Sequence, residues 1–427
     1  MSARPAGFRL PDADSIHRVR FDNGLTLLFY PTPHTQSVVI AGSLDAGATF
    51  EQGDIDHGLA SMTAVALLHG TQSRDFNTLH AELEDIGADL GFISGLHKVG
   101  FSGKALAEDL PTLIEILADV LRRPSFPPEE VSRVMGERLT ALNYLAQDTG
   151  YRAAQAFRQM LYPPDHLYHR GTRGRPHTIE RMTRDDLAAF HAAHYGGRGM
   201  ILCVVGAVDV AQVSAIVGEH LADWQTPHQP QPPALRPLPA PTGSEQRFVP
   251  VSGKNQADIL IGVAGPPRTA PDYHAAMLGN SVLGVFGMMG RVGASVRERE
   301  GLAYYAGSRV NGGFGPGAWR ISAGVDPADV ERAIALCRAE IERFVSEPVT
   351  PEELADSQSY FVGSQPLQLE HNDGIANALH NMESYGLGLN YLADYREIIY
   401  SISADDILKT AQRYFQPEAI KIAIAGS

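Results

Sequence analysis

The sequence contains a long internal repeat, and this repeat constrains the fold more than any other feature. Residues 183–206, TRDDLAAFHAAHYGGRGMILCVVG, align without a gap on residues 403–426, SADDILKTAQRYFQPEAIKIAIAG. In each segment a Thr or Ser cap and two aspartates precede a helical pattern, an aromatic turn follows, and an aliphatic strand ends in glycine. A second, shorter repeat consists of PPEEV at Pro127 and TPEEL at Thr350. The pattern indicates a two-fold duplication and not a short-period solenoid.

A proline-dense segment, TPHQPQPPALRPLPAPTGSE, separates the two copies. It has almost no charge and no hydrophobic periodicity. Because proline fixes φ and removes a hydrogen-bond donor, such a segment is typical of a semi-rigid, extended linker. We therefore predict an N-terminal domain over residues 1–225, a linker over 226–246, and a homologous C-terminal domain over 247–427.

Strand and helix patterns interleave within each half. Asn23-Gly24, between alternating apolar residues, predicts a hairpin with a type I′ turn. Further strands are expected at 38–44, 259–263 and 318–325, and helices at 58–68, 78–86, 110–121, 129 to about 160, 272–283, 327–344 and from 351 onward. This order predicts an α+β fold of two homologous domains, each a mostly antiparallel sheet packed with helices.

Composition excludes several classes of protein. A chain of 427 residues with 44% hydrophobic residues can bury a core in each of two domains. A formal charge of −14 argues against non-specific nucleic-acid binding. No apolar run approaches the roughly 18 residues of a membrane span, and no apolar stretch follows the N-terminal arginines, so we expect a cytoplasmic protein. Cys203 and Cys337 lie in apolar segments and are expected to be buried thiols without a disulfide.

The segment GLASMTAVALLHGT, which begins at Gly58, carries a family resemblance. Its Gly-Leu-Ala start and Gly-Thr end resemble the pitrilysin (insulinase-like) metallopeptidases, inverted zincins whose H-x-x-E-H helix supplies zinc ligands and the general base. Here Ser61, Ala64 and Val65 stand where that family carries His, Glu and His. A hydroxyl and an isopropyl group cannot form a tight zinc site, and Ala64 cannot accept a proton from water.

The resemblance also implies a third ligand, a glutamate roughly seventy-odd residues further on, at about Ala141 in this chain. No carboxylate lies between Glu137 and Asp148. All three ligands and the base are therefore missing together, and we expect this chain to bind no metal. Histidines could form a relocated site, but none has a carboxylate at ligand spacing, and local hydrogen bonding is the more ordinary role; the candidates are His57, His69, His166, His169, His191 and His194.

The second half carries MMGRVGASVREREGLAYYAGSRVNGG, which resembles a family segment in which an Arg and a Tyr reach the peptide at the zinc site. The match falls on Arg297 and Tyr304. A helical pattern that stops at Gly301, followed by a strand pattern, places the arginine at a helix end and the tyrosine at a strand start. The alternative from spacing alone is a half-buried core Tyr304 and an ion pair of Arg297 with Glu298, Glu300 or a distant carboxylate.

The resemblance covers the chain and implies the LuxS/metallohydrolase-like fold of processing-peptidase type. It implies a non-catalytic, substrate-binding subunit of a heterodimeric zinc metallopeptidase. A partner with intact H-x-x-E-H would bind the zinc, and this chain would help enclose a peptide chamber and supply Arg297 and Tyr304. Pairing with a second copy of itself stays open. Two alternatives remain: a scaffold or assembly protein of the same fold with no role in proteolysis, and a metallopeptidase with relocated ligands.

Overall fold

The computed structural model describes residues 10–241 and 243–427, except for the side chains of Phe286, Met288 and Met289. The strands are β1 (His17–Arg20), β2 (Thr26–Pro31), β3 (Ser37–Leu44), β4 (Asp89–Ser94), β5 (Val99–Leu106), β6 (Ile201–Gly206), β7 (Glu245–Pro250), β8 (Ala257–Ala264), β9 (Ala303–Val310), β10 (Ala318–Val325) and β11 (Lys421–Gly426). The helices are α1 (Leu59–Ala66), α2 (Phe76–Asp85), α3 (Leu110–Arg122), α4 (Pro128–Ala146), α5 (Thr149–Leu161), α6 (Pro176–Ile179), α7 (Arg184–His194), α8 (Val210–Leu221), α9 (Tyr273–Gly284), α10 (Phe286–Val292), α11 (Val330–Ser346), α12 (Pro351–Gln368), α13 (Asn372–Ser384), α14 (Tyr391–Tyr400) and α15 (Ala404–Tyr414).

The chain forms two compact units, each an α+β structure with one sheet. Of the described residues, the first unit contains those up to Thr140 together with Gly171–Ala234 and Gln365–Asp394. The second unit contains Ala141–Arg170, Leu235–Ser364 and Tyr395–Ser427. The predicted α+β fold with two sheets packed with helices is confirmed. Each unit therefore takes a segment from the other half of the sequence, whereas the domain boundaries at 225 and 247 stay a prediction.

Apart from the edge strand β1 of the first sheet, the two sheets share one five-stranded topology. The first has the strand order β1-β2-β6-β3-β5-β4, and the second has the order β7-β11-β8-β10-β9. In each, one neighbouring pair is parallel, β2 with β6 and β7 with β11, and the other neighbours are antiparallel. The repeated caps also match: Thr183 with Asp186, and Ser403 with Asp406, form capping boxes at the starts of α7 and α15.

In the first unit, α13 packs on β3 and β6. The contact buries Ile375, Ala376 and Leu379 of the helix against Val39 and Cys203 of the sheet. In the second unit, α5 packs on β8 and β11 in the same way. The opposite face of the second sheet, centred on Trp319, packs on α9, α11 and α15.

Two local predictions are corrected. The hairpin at Asn23-Gly24 joins β1 and β2, but φ is positive only at Gly24 (92°) and not at Asn23, so the type I′ turn is wrong. Bonds from Gly24 N–H to Phe21 O and from Phe21 N–H to Leu25 O instead define a turn followed by a bulge. The Asn23 amide is occupied elsewhere, because it donates to the carbonyls of Leu221 and Trp224.

The second correction concerns the long helix expected from 129 to about 160. It is two helices, α4 and α5, because the Asp148 carboxylate accepts from the N–H of Tyr151 and caps a new helix. The break lies near the start of Ala141–Arg170, the segment of the N-terminal half that belongs to the second unit.

Both cysteines are free and buried, as expected, and burial raises the pKa of each thiol, that of Cys337 to about 12. Residues 226–241 contain no helix or strand. Within the described part of the chain, no helix is both long enough and apolar enough to span a membrane.

Candidate functional site

Helix α1 carries the three positions at which the family resemblance expects zinc chemistry. Gly58 caps the helix with φ of 97°, and the Glu51 carboxylate accepts from the N–H groups of Gly58 and Ala60 at 3.1 Å each. A carboxylate is favourable there because the first N–H groups of a helix lack partners and the helix dipole is positive at that end. The start of the family-like helix is thus intact. Ser61 and Ala64 are buried, and Val65 is half-buried.

An arginine lies against the first of these positions. Nη2 of Arg138, on α4, donates to Oγ of Ser61 at 3.1 Å, and its Nη1 donates to the carbonyl of Arg173 at 3.2 Å. Burial and the nearby Arg173 lower the pKa of Arg138 below its ordinary value. Among the described residues Arg138 makes no ion pair with a carboxylate.

These residues do not fit a zinc ion. Ser61 has no imidazole, its hydroxyl accepts from a guanidinium, and a fixed positive charge adjoins the position of the first expected ligand. That charge repels a cation, and within the described part of the chain no three His, Cys, Asp or Glu side chains form a group that could hold one. Sequence reasoning missed Arg138, although a signal exists: Arg138 precedes Ala141 by three residues, and residues three apart share a helix face.

The candidate histidines have other neighbours. Among the residues that the structure describes, no three His, Cys, Asp or Glu side chains form a group that could hold a metal ion. Their contacts are the carbonyl of Gly171 for His57, Glu130 for His69, the N–H of Tyr168 for His166, the carbonyl of Tyr162 for His169, the carbonyl of Leu121 for His191, and the rings of Phe50 and Phe190 for His194. The hypothesis of relocated ligands gains no support from these positions.

Arg297 lies at the end of a helix in the second unit, where the sequence predicts it. The residues Gly293–Arg299 form a π-helical turn that continues α10, and the chain leaves it through Gly301 with φ of 63°. A π-turn is rare and is found often at functional sites. The half-buried Arg297 forms no ion pair among the described residues. The glutamates around it bind other arginines: Glu300 pairs with Arg332, and Glu340 pairs with Arg299.

Tyr304 follows at the start of β9. Its side chain is 86% exposed, so the alternative of a half-buried core tyrosine does not apply. The strand register explains the exposure: Ala303 pairs with Val325 and Tyr305 with Gly324, which leaves Tyr304 as the extra residue of a bulge. Ala303 and Ala306 on the same strand are buried, so the strand is fixed while this phenol stays in solvent. The role assigned to Arg297 and Tyr304 stays a prediction.

Two protein-family models match this chain, and they include the segments described above. A family model described as insulinase (peptidase family M16) matches residues 28–163, and one described as the peptidase M16 inactive domain matches residues 181–360. Together they span both sheets' central strands, α1 and the Arg297 segment. The chain belongs to the M16 peptidase family.

Individual relatives have low sequence identity to this chain, and two of the three described here match over most of its length. An uncharacterized zinc protease of Streptomyces coelicolor is 23% identical over 93% of this chain and 87% of its own length. The mitochondrial-processing peptidase subunit beta of Bos taurus is 23% identical over 90% of this chain and 79% of its own. Subunit 1 of the mouse mitochondrial cytochrome b-c1 complex is 27% identical over 62% of this chain and 54% of its own.

A solved structure, the peptidase M16 inactive domain from Pseudomonas fluorescens, superimposes with a TM-score of 0.87 at 23% identity. It covers 96% of this chain and 97% of its own. This likeness shows the M16 inactive-domain fold. The chain is a member of the family without the H-x-x-E-H ligands.

Proposed function

We propose that this chain is the non-catalytic, substrate-binding subunit of a heterodimeric zinc metallopeptidase of the M16 family. Its partner is an M16 chain with intact H-x-x-E-H, and zinc binds in that partner. This chain contributes Arg297 and Tyr304 to the peptide. The observation that carries the proposal is the pair itself. Tyr304 is 86% exposed, and Arg297 forms no ion pair with any residue that the structure describes, in a chain whose α1 carries Ser61, Ala64 and Val65 in place of the zinc ligands and base.

The chemistry of the two side chains suits a peptide carbonyl. A guanidinium fork and a phenol are both hydrogen-bond donors, and a carbonyl oxygen gains negative charge when water attacks the peptide bond. Donors that are already positioned stabilise that charge more than water does. A salt bridge to Glu298 or Glu300 would have neutralised Arg297, and neither is formed.

The relatives support a role as one subunit among several. The bovine relative is by name the beta subunit of a mitochondrial-processing peptidase, and the murine one is by name subunit 1 of the cytochrome b-c1 complex. Arg138 beside Ser61 supports the part of the proposal that places zinc in the partner, since a cationic side chain adjoins the position at which the family resemblance expects the first ligand.

The test is reconstitution of the complex. The chain is co-purified with an M16 partner that carries H-x-x-E-H, and cleavage of an internally quenched peptide is followed. Tyr304→Phe and Arg297→Gln should each lower kcat by about 10²–10³-fold, the usual cost of removing an oxyanion donor. Because Tyr304 is exposed, the complex should still form, which gel filtration checks.

Tyr144→Phe is the matched control, since Tyr144 is also strongly exposed (76%) but lies on α4. Full activity in the Tyr304 and Arg297 variants would overturn the role assigned to them. Peptide cleavage by this chain alone would overturn the proposal that it is a non-catalytic subunit.

The scaffold function is the second candidate, and the cytochrome b-c1 relative favours it. A scaffold needs the fold and its contact surfaces but not the two donors. Affinity purification that recovers a partner without H-x-x-E-H, with no peptide cleavage, would favour the scaffold over the peptidase subunit.

A further inference from the structure

Three arginines meet on one face of the second sheet. Arg320 on β10 pairs directly with Arg309 on β9, and side chains that are opposite each other in an antiparallel pair lie on the same face. Ala318, two residues before Arg320 and therefore on that face, packs with Ala153 and Phe157 of α5. Arg158, one residue after Phe157, comes from α5 itself, so helix and sheet together assemble the cluster.

The charges of this cluster are not neutralised within the described residues. Arg320 is half-buried, yet neither it nor the exposed Arg309 makes a hydrogen bond or ion pair through its side chain there. The half-buried Arg158 uses only Nε, which donates to the carbonyl of His169 at 3.3 Å. Burial, then Arg309 and Arg158, lower the pKa of Arg320.

Two phenols also lie near Arg320, and both are neutral at pH 7. They are the phenols of Tyr162 and Tyr305, whose pKa values burial raises. Asp258 is a carboxylate of this face. It pairs with Gly324, four positions along β10 from Arg320, so the backbone positions of Asp258 and Arg320 are about 13 Å apart along the strand. It already accepts from Thr149, Tyr305 and Gln256.

This arrangement of charges destabilises the folded chain when no ligand is bound. Like charges directly opposite each other in a sheet destabilise it, and a half-buried charge without a partner loses hydration. An anion would remove both costs. The guanidinium group matches a carboxylate in a two-bond geometry, and here several unused N–H groups are available.

We propose that Arg158, Arg309 and Arg320 form a site for a carboxylate of the bound peptide, either an acidic side chain or the C-terminus. This inference rests on the proposed function as a peptide-binding subunit. Arg309 and Tyr304 belong to the same strand, five residues or about 17 Å apart. The substrate therefore carries its carboxylate about five extended residues from the bond that is cut.

The first experiment measures binding to the purified full chain without any partner. Fluorescent twelve-residue peptides differ only in a Glu or a Gln, and a second pair differs in a free or amidated C-terminus. Fluorescence anisotropy should show about tenfold tighter binding of at least one carboxylate form. Arg320→Gln and Arg309→Gln should abolish this preference. Arg247→Gln, which removes a charge paired with Glu245 from the opposite edge of the same sheet, should preserve it.

Inorganic phosphate is the competing probe. If millimolar phosphate binds in an Arg320-dependent way but neither peptide pair shows a carboxylate preference, the site takes small phosphate anions and the proposal is wrong. Equal binding of all peptides to the unmodified chain also overturns it.

Thermal unfolding separates a binding role from a structural one. Arg320→Met removes an unpaired charge, so the melting temperature should rise or stay the same while the carboxylate preference is lost. A fall in melting temperature would assign Arg320 to the stability of the fold. Because no zinc, partner or cleavage enters these measurements, their outcome is independent of the kinetic effects of Arg297 and Tyr304.

Discussion

A buried carboxylate explains the Gly-Thr sequence that follows helix α1. Asp119 on α3 has no solvent exposure. It accepts hydrogen bonds from Oγ1 of Thr71 at 2.6 Å, Oγ of Ser73 at 2.7 Å, Nη1 of Arg74 at 2.9 Å and Nε of Arg123 at 2.8 Å. The segment after α1 is therefore fixed to α3 by one charge, and Thr71→Val tests this connection.

The expected loss follows from the contacts of the Thr71 hydroxyl. Valine has nearly the same shape but removes a hydrogen bond to a buried charge, worth about 1.5–3 kcal/mol. The hydroxyl also accepts from the N–H groups of Ser73 at 3.2 Å and Arg74 at 3.0 Å, which lose this acceptor. We expect a free energy of unfolding lower by about 3 kcal/mol. At roughly 2–4 °C per kcal/mol, the melting temperature of the first unit falls by about 6–12 °C.

The loss depends on pH with a defined sign. Burial opposes ionisation of Asp119, but its hydrogen bonds to Thr71, Ser73, Arg74 and Arg123 outweigh burial and lower its pKa below 3.8. A carboxylate with a lowered folded pKa stabilises the protein above its unfolded pKa and loses this effect as pH falls through the folded value. The difference in stability between Thr71→Val and the unmodified chain should be constant from about pH 5 to 7 and shrink as pH falls through the folded pKa of Asp119.

Calorimetry and urea unfolding at several pH values measure both effects. Thr140→Val is the control, since the exposed Thr140 hydroxyl donates only to the carbonyl of Gly136 on its own helix. That control should stay within about 0.5 kcal/mol of the unmodified chain. A Thr71→Val chain as stable as the control at pH 7, or a difference that increases as pH falls below about 4, would refute the reasoning.

Three further predictions follow from other contacts. Glu353→Gln should destabilise the second unit by about 3–5 kcal/mol in urea unfolding, because Arg291 is buried and loses its two-bond partner; a change under 1 kcal/mol would contradict this. Stability should fall as pH drops from 6.5 towards 4, because burial lowers the pKa of His191 to about 4 and only the unfolded chain takes up its proton; His191→Phe should flatten that slope. Restoring H-x-x-E-H on α1 should give no stoichiometric zinc by elemental analysis while Arg138 is present, and addition of Arg138→Met should raise zinc occupancy.

Local patterns predicted the fold well where the chemistry is local. The capping residues Thr183 and Ser403 begin helices in both copies, because a side chain three residues from its partner needs no distant contact. The strand predicted over 318–325 is β10. The break between α4 and α5 also has a local cause, the N-cap residue Asp148. The helical periodicity continues on both sides of Asp148, so the pattern predicted one helix instead of two.

Tertiary context decided the features that sequence reasoning missed. Asn23 keeps a negative φ, and its amide binds carbonyls about two hundred residues away, which a turn rule cannot anticipate. The contact of Arg138 with Ser61 joins positions 77 residues apart. Helix α5 belongs to the second unit and α13 to the first, although each comes from the other half of the sequence. Amphipathic periodicity predicts which face of a helix is buried, but it does not predict which sheet that face packs on.

The duplication, the α+β fold and the absence of H-x-x-E-H on α1 could all be read from the residues alone, because they depend on residue identity and on short-range periodicity. Four other features depend on how distant segments pack. Tyr304 is exposed on a bulge, Arg297 has no ion pair among the described residues, Arg138 lies against Ser61, and three arginines share one sheet face. The physical reason is the range of the interactions. Hydrogen bonds of caps and turns act over a few residues, whereas charge balance and burial depend on strands and helices that are distant in the chain.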